Sequence, residues 1–166
     1  RVLGVPVQCA EFIPLPIGRC ATAAGVRLQA IDAMHSVLPS GAALDSDFRG
    51  LMVDRALFDQ ALAEAARAAG ADLRSGTQLI DIDSASRTAR VRGPQGDELL
   101  RFARVVAADG PHSRVAALAG LPALETVETR QYTVPLHMPC RTTTVWLADA
   151  YPGGYAWLFP KGAQAN

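Results

Sequence analysis

The sequence predicts a mixed α/β fold, also describable as α+β, and three features support that prediction. A helical pattern of apolar residues follows Asp54, turn-separated β-rich segments fill residues 77–104, and a strand-to-helix corner spans Arg104–Gly120. A second group of β-rich segments lies between residues 131 and 159. Helices interspersed with strands are typical of the α/β and α+β classes.

The clearest helix signal runs from Asp54 to Ala69, with Asp54 as N-cap and Gly70 as a left-handed stop. Its predicted apolar face consists of Phe58, Ala61, Leu62, Ala65 and Ala69. Arg55 is unusual there, because a cation in the first helical turn opposes the helix dipole. Two partners could offset this effect: Asp59, one helical turn away, or an oxygen-rich ligand at the helix N-terminus.

The corner at residues 104–120 combines a carboxylate and a glycine between two elements. Residues 105–108 predict a buried strand, Pro111 suits a first helical position and Gly120 suits a helix stop. Ligands of open α/β sheets bind at the carboxyl ends of strands, and glycine permits close approach to the backbone, so Asp109 and Gly110 are candidate site residues. The alternative is ordinary turn chemistry, with Asp109 or Ser113 capping the helix.

The other segments are mostly extended. We expect an irregular stretch with short extended pieces at residues 2–18, and alternating β-rich segments on both sides of a turn at Pro39–Gly41. A short strand is expected at residues 71–75, followed by a meander. The meander strands are 77–83, 88–92 and 98–104, and a later antiparallel layer is expected at 131–139, 142–148 and 155–159.

Composition excludes several classes of protein. The 166 residues carry 16 basic and 16 acidic side chains, so charge offers no case for nucleic acid or an anionic surface. The three cysteines are unpatterned, which disfavours a disulfide framework or a metal site and favours a reducing, cytoplasmic compartment. The chain begins without Met, shows no signal peptide and has no Gly-x-Gly-x-x-Gly, so we interpret it as an internal part of a longer protein.

Three separated motifs resemble one family of flavoproteins. Residues 4–11, Gly-Val-Pro-Val-Gln-Cys-Ala-Glu, resemble the Cys-Ala-Glu segment of geranylgeranyl reductases. Asp109-Gly110 resembles the Asp-Gly motif of FAD-dependent oxidoreductases of the para-hydroxybenzoate hydroxylase type. Residues 152–162 resemble the Gly-Tyr-x-Trp-x-Phe-Pro motif of geranylgeranyl reductases, and the three motifs occur in the family's order.

The resemblance implies a fold and an activity. Residues 1–122 would be the second half of an FAD-binding Rossmann-like domain lacking its first unit, and 123–166 the start of an antiparallel substrate-binding sheet domain. The whole enzyme would hold FAD, take reducing equivalents from NAD(P)H or another electron donor, and reduce prenyl double bonds of an isoprenoid lipid or prenylated compound. The cofactor would supply that chemistry, with peripheral membrane contact possible in the full-length protein. The 166 residues alone are expected to be inactive.

The resemblance also implies site residues. Cys9 would be catalytic; the cofactor would be bound by Gln8, Cys9, Arg55, Asp109 and Gly110, and the substrate by Tyr155, Trp157, Phe159 and Pro160. No metal is implied. Strand alternation predicts that Tyr155, Trp157 and Phe159 share one face, which would line a substrate channel or simply form core.

Two other functions remain open at the level of sequence. An FAD-dependent aromatic-ring monooxygenase would share Asp109-Gly110. A non-catalytic lipid-binding or interaction module could use the same β-layer without a flavin.

Overall fold

A computed structural model describes residues 2–166, which form two compact units: residues 72–126, and residues 2–71 together with 127–166. Residues 2–71 contain β1 (Phe12–Pro14), α1 (Leu15–Gly18), β2 (Arg27–Ile31), β3 (Ala33–Val37), β4 (Ala43–Ser46), β5 (Gly50–Val53) and α2 (Arg55–Ala68). Residues 72–126 contain β6 (Gln78–Asp83), β7 (Thr88–Gly93), β8 (Gly96–Arg101) and α3 (Arg114–Leu118). Residues 127–166 contain β9 (Val134–Pro135), β10 (Thr142–Trp146), β11 (Ala156–Leu158), β12 (Pro160–Lys161) and β13 (Gln164–Ala165). The mixed α/β prediction is confirmed.

The larger unit contains three small sheets, with strand orders β1-β5-β2, β11-β10-β3-β4 and β12-β13-β9. β10 pairs with β11 in antiparallel fashion but with β3 in parallel, so the late strands are not a purely antiparallel layer as expected. A parallel pair requires a long crossover, and such a partner cannot be read from local alternation. Strands β10 and β11 therefore extend the β3-β4 sheet of residues 2–71, and the domain boundary at 122/123 stays a prediction.

The core of the larger unit has two parts, one on each side of β5. Alternate side chains of a strand point to opposite faces, and Met52 and Val53, both completely buried, accordingly enter different clusters. The Val53 cluster consists of Ile13, Ala21, Val26, Val53 and Phe58. The Met52 cluster consists of Ile31, Met52 and Phe159, with Phe12 and Trp157 packed against it. Strand β5 therefore packs on one face against Phe58, near the start of α2, and on the other face against Phe159.

Helix α2 confirms the prediction from its caps. The Asp54 carboxylate accepts a hydrogen bond from the Leu57 backbone at 2.9 Å, and Gly70 has a φ of 94° that ends the helix in left-handed conformation. Phe58 is the buried member of the predicted apolar face, whereas Leu62 is 41% exposed. The local signals therefore define the helix, although little of its face is covered within the larger unit.

The smaller unit is an antiparallel β6-β7-β8 sheet, which confirms the predicted meander, followed by α3. Helix α3 begins at Arg114 rather than at Pro111, because the Ser113 hydroxyl caps it by accepting from the Ala116 backbone at 2.9 Å. The buried strand expected at residues 105–108 is wrong: Val106 is 84% exposed, and no described segment pairs with this run. An extended segment that pairs with no other strand makes no interstrand hydrogen bonds through its backbone N–H and C=O groups, so it is not stabilised as a buried strand.

Two other expected strands are also absent or shortened. Residues 71–75 form no strand, and of the expected strand at 131–139 only Val134–Pro135 pairs, with β13. Both segments have suitable composition, but pairing requires a partner at the correct distance, which composition does not specify. No helix of residues 2–166 is both long and apolar enough to cross a membrane.

Candidate functional site

Cys9 is half-buried, and two N–H donors surround its sulfur. Arg55 Nη1 lies 3.2 Å from Cys9 Sγ, and the Glu11 backbone N–H donates to the same sulfur at 3.3 Å. The Cys9 carbonyl accepts from Gln131 Nε2 at 3.0 Å, which ties the segment to the chain after residue 127. A cationic donor and a backbone N–H donor thus face a single thiol, an environment found around functional cysteines.

Arg55 is the first residue of α2, and its guanidinium bridges two side chains. Nε donates to Asp59 Oδ1 at 2.7 Å, and this hydrogen bond raises the pKa of the guanidinium above its ordinary value. The partner expected one helical turn away is therefore present. The side chain retains 36% exposure, so Arg55 also remains open to a ligand.

Glu11 is buried beside this pair, and its carboxylate accepts from three donors. Oε1 accepts from the Arg55 backbone N–H at 3.2 Å, whereas Oε2 accepts from Asn166 Nδ2 at 2.8 Å and pairs with the Lys161 ammonium. Burial alone would raise the pKa of Glu11. The hydrogen bonds from Lys161, Asn166 and Arg55 outweigh burial, so the pKa lies below its ordinary value. Glu11 is accordingly a fixed negative charge at neutral pH.

A cavity of about 730 Å³ brings the Cys9 segment together with the aromatic segment near the end of the chain. Its lining includes Gln8, Cys9, Ala10 and Phe12 from the first segment and Tyr155, Trp157 and Phe159 from the second. The intervening Ala156 and Leu158 do not line it, so strand alternation directs the three aromatic residues toward this cavity as the sequence predicted. Its size is typical of small-molecule sites.

The three aromatic residues differ in burial. Tyr155 and Trp157 meet edge to face, with ring centroids 5.9 Å apart, and Tyr155 is 51% exposed. Phe159 is 7% exposed and packs on Phe12 at 5.6 Å. Phe159 is therefore core that also reaches the cavity, while Tyr155 and Trp157 form its open wall. A second cavity, of about 660 Å³, lies beside the same pair. Pro160 is buried and lines neither of these two cavities.

Asp109 and Gly110 belong to the smaller unit, where they form the turn before α3. The Asp109 carboxylate accepts from the Ser113 hydroxyl and from the backbone N–H groups of Arg114 at 2.8 Å and Val115 at 3.2 Å. The Ser113 contact is the main reason that the pKa of Asp109 lies below its ordinary value. Gly110 has a φ of 89°, which favours glycine. Asp109 and Ser113 thus both cap α3, and cofactor binding here stays a prediction.

Sequence reasoning singled out Cys9 and Arg55 but assigned no role to Glu11, Lys161 or Gln131. Each of them reaches across the chain; the Glu11–Lys161 pair joins residues 150 positions apart. The sequence Ala10-Glu11-Phe12 offered one signal, because it places a charged residue between apolar neighbours. Charged residues are seldom buried unless they are paired, so a glutamate in such surroundings indicates a paired carboxylate. Among residues 2–166, no three His, Cys, Asp or Glu side chains are grouped so that they could hold a metal ion.

Comparison with known proteins places the chain in a family of flavoproteins. The family model described as FAD dependent oxidoreductase matches residues 15–162. Digeranylgeranylglycerophospholipid reductase 1 of Methanopyrus kandleri is 32% identical over 96% of this chain and 46% of its own length. Digeranylgeranylglycerophospholipid reductase 2 of Methanothermobacter thermautotrophicus is 32% identical over 99% of this chain and 47% of its own length. The chain thus spans about half the length of these relatives.

A solved structure shows the same fold. The crystal structure of a geranylgeranyl bacteriochlorophyll reductase-like protein from Thermoplasma acidophilum superposes with a TM-score of 0.80 at 24% identity. The match covers 99% of this chain and 46% of that chain. The two compact units and their sheets are therefore part of a larger, established architecture.

Proposed function

The chain belongs to the FAD dependent oxidoreductase family, and from that premise we propose that the whole protein is an FAD-dependent reductase of prenyl double bonds in an isoprenoid lipid or prenylated compound. The observation that carries the proposal is the cavity lined by both Cys9 and Trp157. The proposal is also supported by the two relatives at 32% identity, which are named as reductases of digeranylgeranylglycerophospholipids.

The lining of this cavity suits a flat aromatic ring system and an apolar chain. Aromatic rings from Phe12, Trp157 and Phe159 supply the apolar surface, whereas Gln8 and Cys9 supply polar atoms at one side. Small-molecule sites typically combine an apolar lining with a few polar groups that fix orientation. The residues present therefore fit a flavin ring with a prenyl chain against it.

Within the larger unit we assign the cofactor contacts to Gln8, Cys9 and Arg55 and the substrate contacts to Tyr155, Trp157 and Phe159; Pro160, which lines neither cavity, is left out. Asp109 and Gly110 of the smaller unit stay predicted cofactor contacts. When bound, FAD supplies the hydride for one carbon of the double bond, and NAD(P)H or another electron donor supplies the reducing equivalents. Tyr155 and Trp157 exclude water from the prenyl chain and orient it. Arg55, with part of its guanidinium exposed, is available to a cofactor oxygen.

Cys9 is the proposed catalytic residue, and its thiol supplies the proton for the second carbon. Loss of that proton leaves a negative charge on the sulfur, which the adjacent guanidinium of Arg55 and the N–H of Glu11 stabilise. Proton uptake from water then restores the thiol. Because the substrate is a lipid, we also propose that the whole protein works in the cytoplasm in peripheral contact with a membrane surface.

The experiment uses the full-length protein that contains this chain. Purified protein is expected to be yellow and, with NADPH or dithionite, to add two hydrogen atoms per double bond to a digeranylgeranyl phospholipid, as measured by mass spectrometry. Cys9→Ala is expected to lower kcat by about 100-fold, whereas Cys20→Ala, at an exposed position, is the matched control. A colourless protein would instead indicate a lipid-binding or interaction module. Addition of one oxygen atom to an aromatic substrate would indicate a monooxygenase.

A further inference from the structure

Glu11 is the one charged residue among residues 2–166 that is buried, with 6% of its surface exposed. A buried carboxylate is unfavourable unless charged or polar donors surround it. Here Lys161, Asn166 and the Arg55 backbone N–H supply those donors. The proposed reaction uses only the Glu11 backbone N–H, so the reason for placing a charge here remains to be explained.

None of the three donors lines the cavity, but each contacts or adjoins one of the two segments that do. Arg55 begins α2 and contacts the Cys9 sulfur through its guanidinium. Lys161 follows Phe159-Pro160 directly, and the Asn166 backbone exchanges hydrogen bonds with the Phe159 backbone at 2.8 and 3.0 Å. The Glu11 carboxylate is therefore bound at once to the residue beside Cys9 and to the end of the aromatic segment.

The Glu11 backbone adds a second constraint. Its φ of 67° is left-handed, a strained conformation for a residue other than glycine. This conformation directs its N–H to the Cys9 sulfur at 3.3 Å, while its carbonyl accepts from the Val53 backbone at 2.9 Å. A glycine at position 11 would adopt this φ more readily, so the conformation does not explain the glutamate, and its carboxylate contacts do.

We propose that Glu11 is a positioning residue that sets the separation between Cys9 and the aromatic wall formed by Tyr155 and Trp157. Its carboxylate holds Lys161 and Asn166 at one side and the start of α2 at the other, so the thiol and the wall keep a fixed spacing. The inference deepens the proposed function and depends on it for the identity of the reaction. The accessibility of the Cys9 thiol, which depends on that spacing, can be measured without turnover.

The test uses the full-length holoprotein and two variants. Glu11→Gln keeps the shape but leaves Lys161 without its anion, and loss of one partner of a buried pair can prevent folding. The double variant Glu11→Gln/Lys161→Met removes both charges and keeps the side-chain volume. It therefore tests the positioning role of Glu11 without leaving the Lys161 ammonium unpaired. The readouts are the rate at which iodoacetamide alkylates Cys9, followed by peptide mass mapping, and the values of kcat and KM.

We expect iodoacetamide to alkylate Cys9 at least about threefold faster in the double variant, because the ion pair with Lys161 no longer holds the segment that contains Cys9 and Glu11. Cys20 in the same protein is exposed and is expected to keep its rate, which makes it an internal reference. We also expect kcat to fall about tenfold with a smaller change in KM, because proton transfer depends on placement. An unchanged Cys9 rate and unchanged kcat, with only a lower thermal midpoint, would overturn the proposal and leave Glu11 as a structural ion pair.

Failure of the proposed function would look different. A wild-type protein without reductase activity would refute that function, whereas the alkylation measurement would still report whether Glu11 holds Cys9. A wild-type reductase whose Cys9 alkylation rate and kcat do not respond to the double variant would refute the positioning role alone.

Discussion

The Arg55 guanidinium lies directly against the Cys9 sulfur, with Nη1 3.2 Å from Sγ. The two residues are 46 positions apart, and Asp59 holds the same guanidinium from within α2. A cation in the first turn of a helix gains nothing from the helix dipole. The contacts of the Arg55 guanidinium with the Asp59 carboxylate and the Cys9 thiol offset its unfavourable interaction with the helix dipole.

Replacement of Arg55 is expected to weaken flavin binding more than it lowers stability. In the full-length protein, Arg55→Ala removes a partly exposed ion pair, and solvent-screened pairs of this kind contribute about 1 kcal/mol or less to unfolding free energy. A contact to a cofactor oxygen would contribute more, about 1.5–3 kcal/mol. Flavin dissociation constants and urea midpoints measure the two effects. Asp59→Asn is the control, because it breaks the ion pair and keeps the cation; an unchanged flavin dissociation constant in Arg55→Ala would leave Arg55 as the partner of Asp59.

The aromatic wall is expected to discriminate substrates by length. Trp157→Ala removes the ring that lines both cavities, so KM for long prenyl substrates should rise more than KM for short ones, by about tenfold or more. Trp146→Ala is a matched control, because Trp146 lies in the neighbouring strand β10 and lines neither cavity. Equal losses for every chain length, in step with thermal stability, would mean that Trp157 serves only as core.

Gly50 is expected to tolerate no side chain, because a Cβ at this position would collide with the Phe12 ring and with the Ile13 carbonyl oxygen. Phe12 cannot move freely, since it packs on Phe48 at 5.3 Å and on Phe159. Gly50→Ala should therefore lower the unfolding free energy by about 1–3 kcal/mol, as overpacking does. The control is Gly154→Ala, where a Cβ meets open space. Similar urea midpoints for wild type and Gly50→Ala would show that the rings of Phe12, Phe48 and Phe159 can move to accommodate the added methyl group.

The free energy of unfolding should decrease as the pH falls into the acid range, because the Glu11 carboxylate becomes protonated. The pKa of its carboxyl is lower in the folded state than its ordinary value of 4.5, so the unfolded chain binds the proton more readily. The stabilisation is therefore complete above that ordinary value and is lost as pH falls through the lowered folded value. Lys161 is the cation that faces Glu11, whereas Arg55 contacts the carboxylate through its backbone N–H.

The measurement compares unfolding free energies of wild type and Glu11→Gln from pH 7 downward. The difference between them should be largest near neutrality and shrink in acid. Glu64→Gln, at an exposed site paired with Arg67, should show little such dependence. A difference for Glu11→Gln that is constant with pH would contradict the assignment of a lowered pKa.

The sequence by itself determined the features that depend on neighbours a few residues apart. The cap at Asp54, the stop at Gly70 and the helical spacing between them specify α2, because each involves hydrogen bonds or contacts within one or two turns. The same holds for the β6-β7-β8 meander and its turns. Alternation along one strand also predicted that Tyr155, Trp157 and Phe159 share one face, and in the structure all three line the same cavity.

Only the tertiary structure decided which distant segments meet. The parallel pairing of β3 with β10, the Cys9–Arg55 contact and the Glu11–Lys161 pair join residues that are far apart in the chain. Residues 105–108 have the composition of a strand, yet no described segment pairs with them. Periodicity reports the local backbone and the face of each side chain, whereas pairing requires loops to close and partners to satisfy buried groups. Those conditions belong to the whole fold, and local patterns do not contain them.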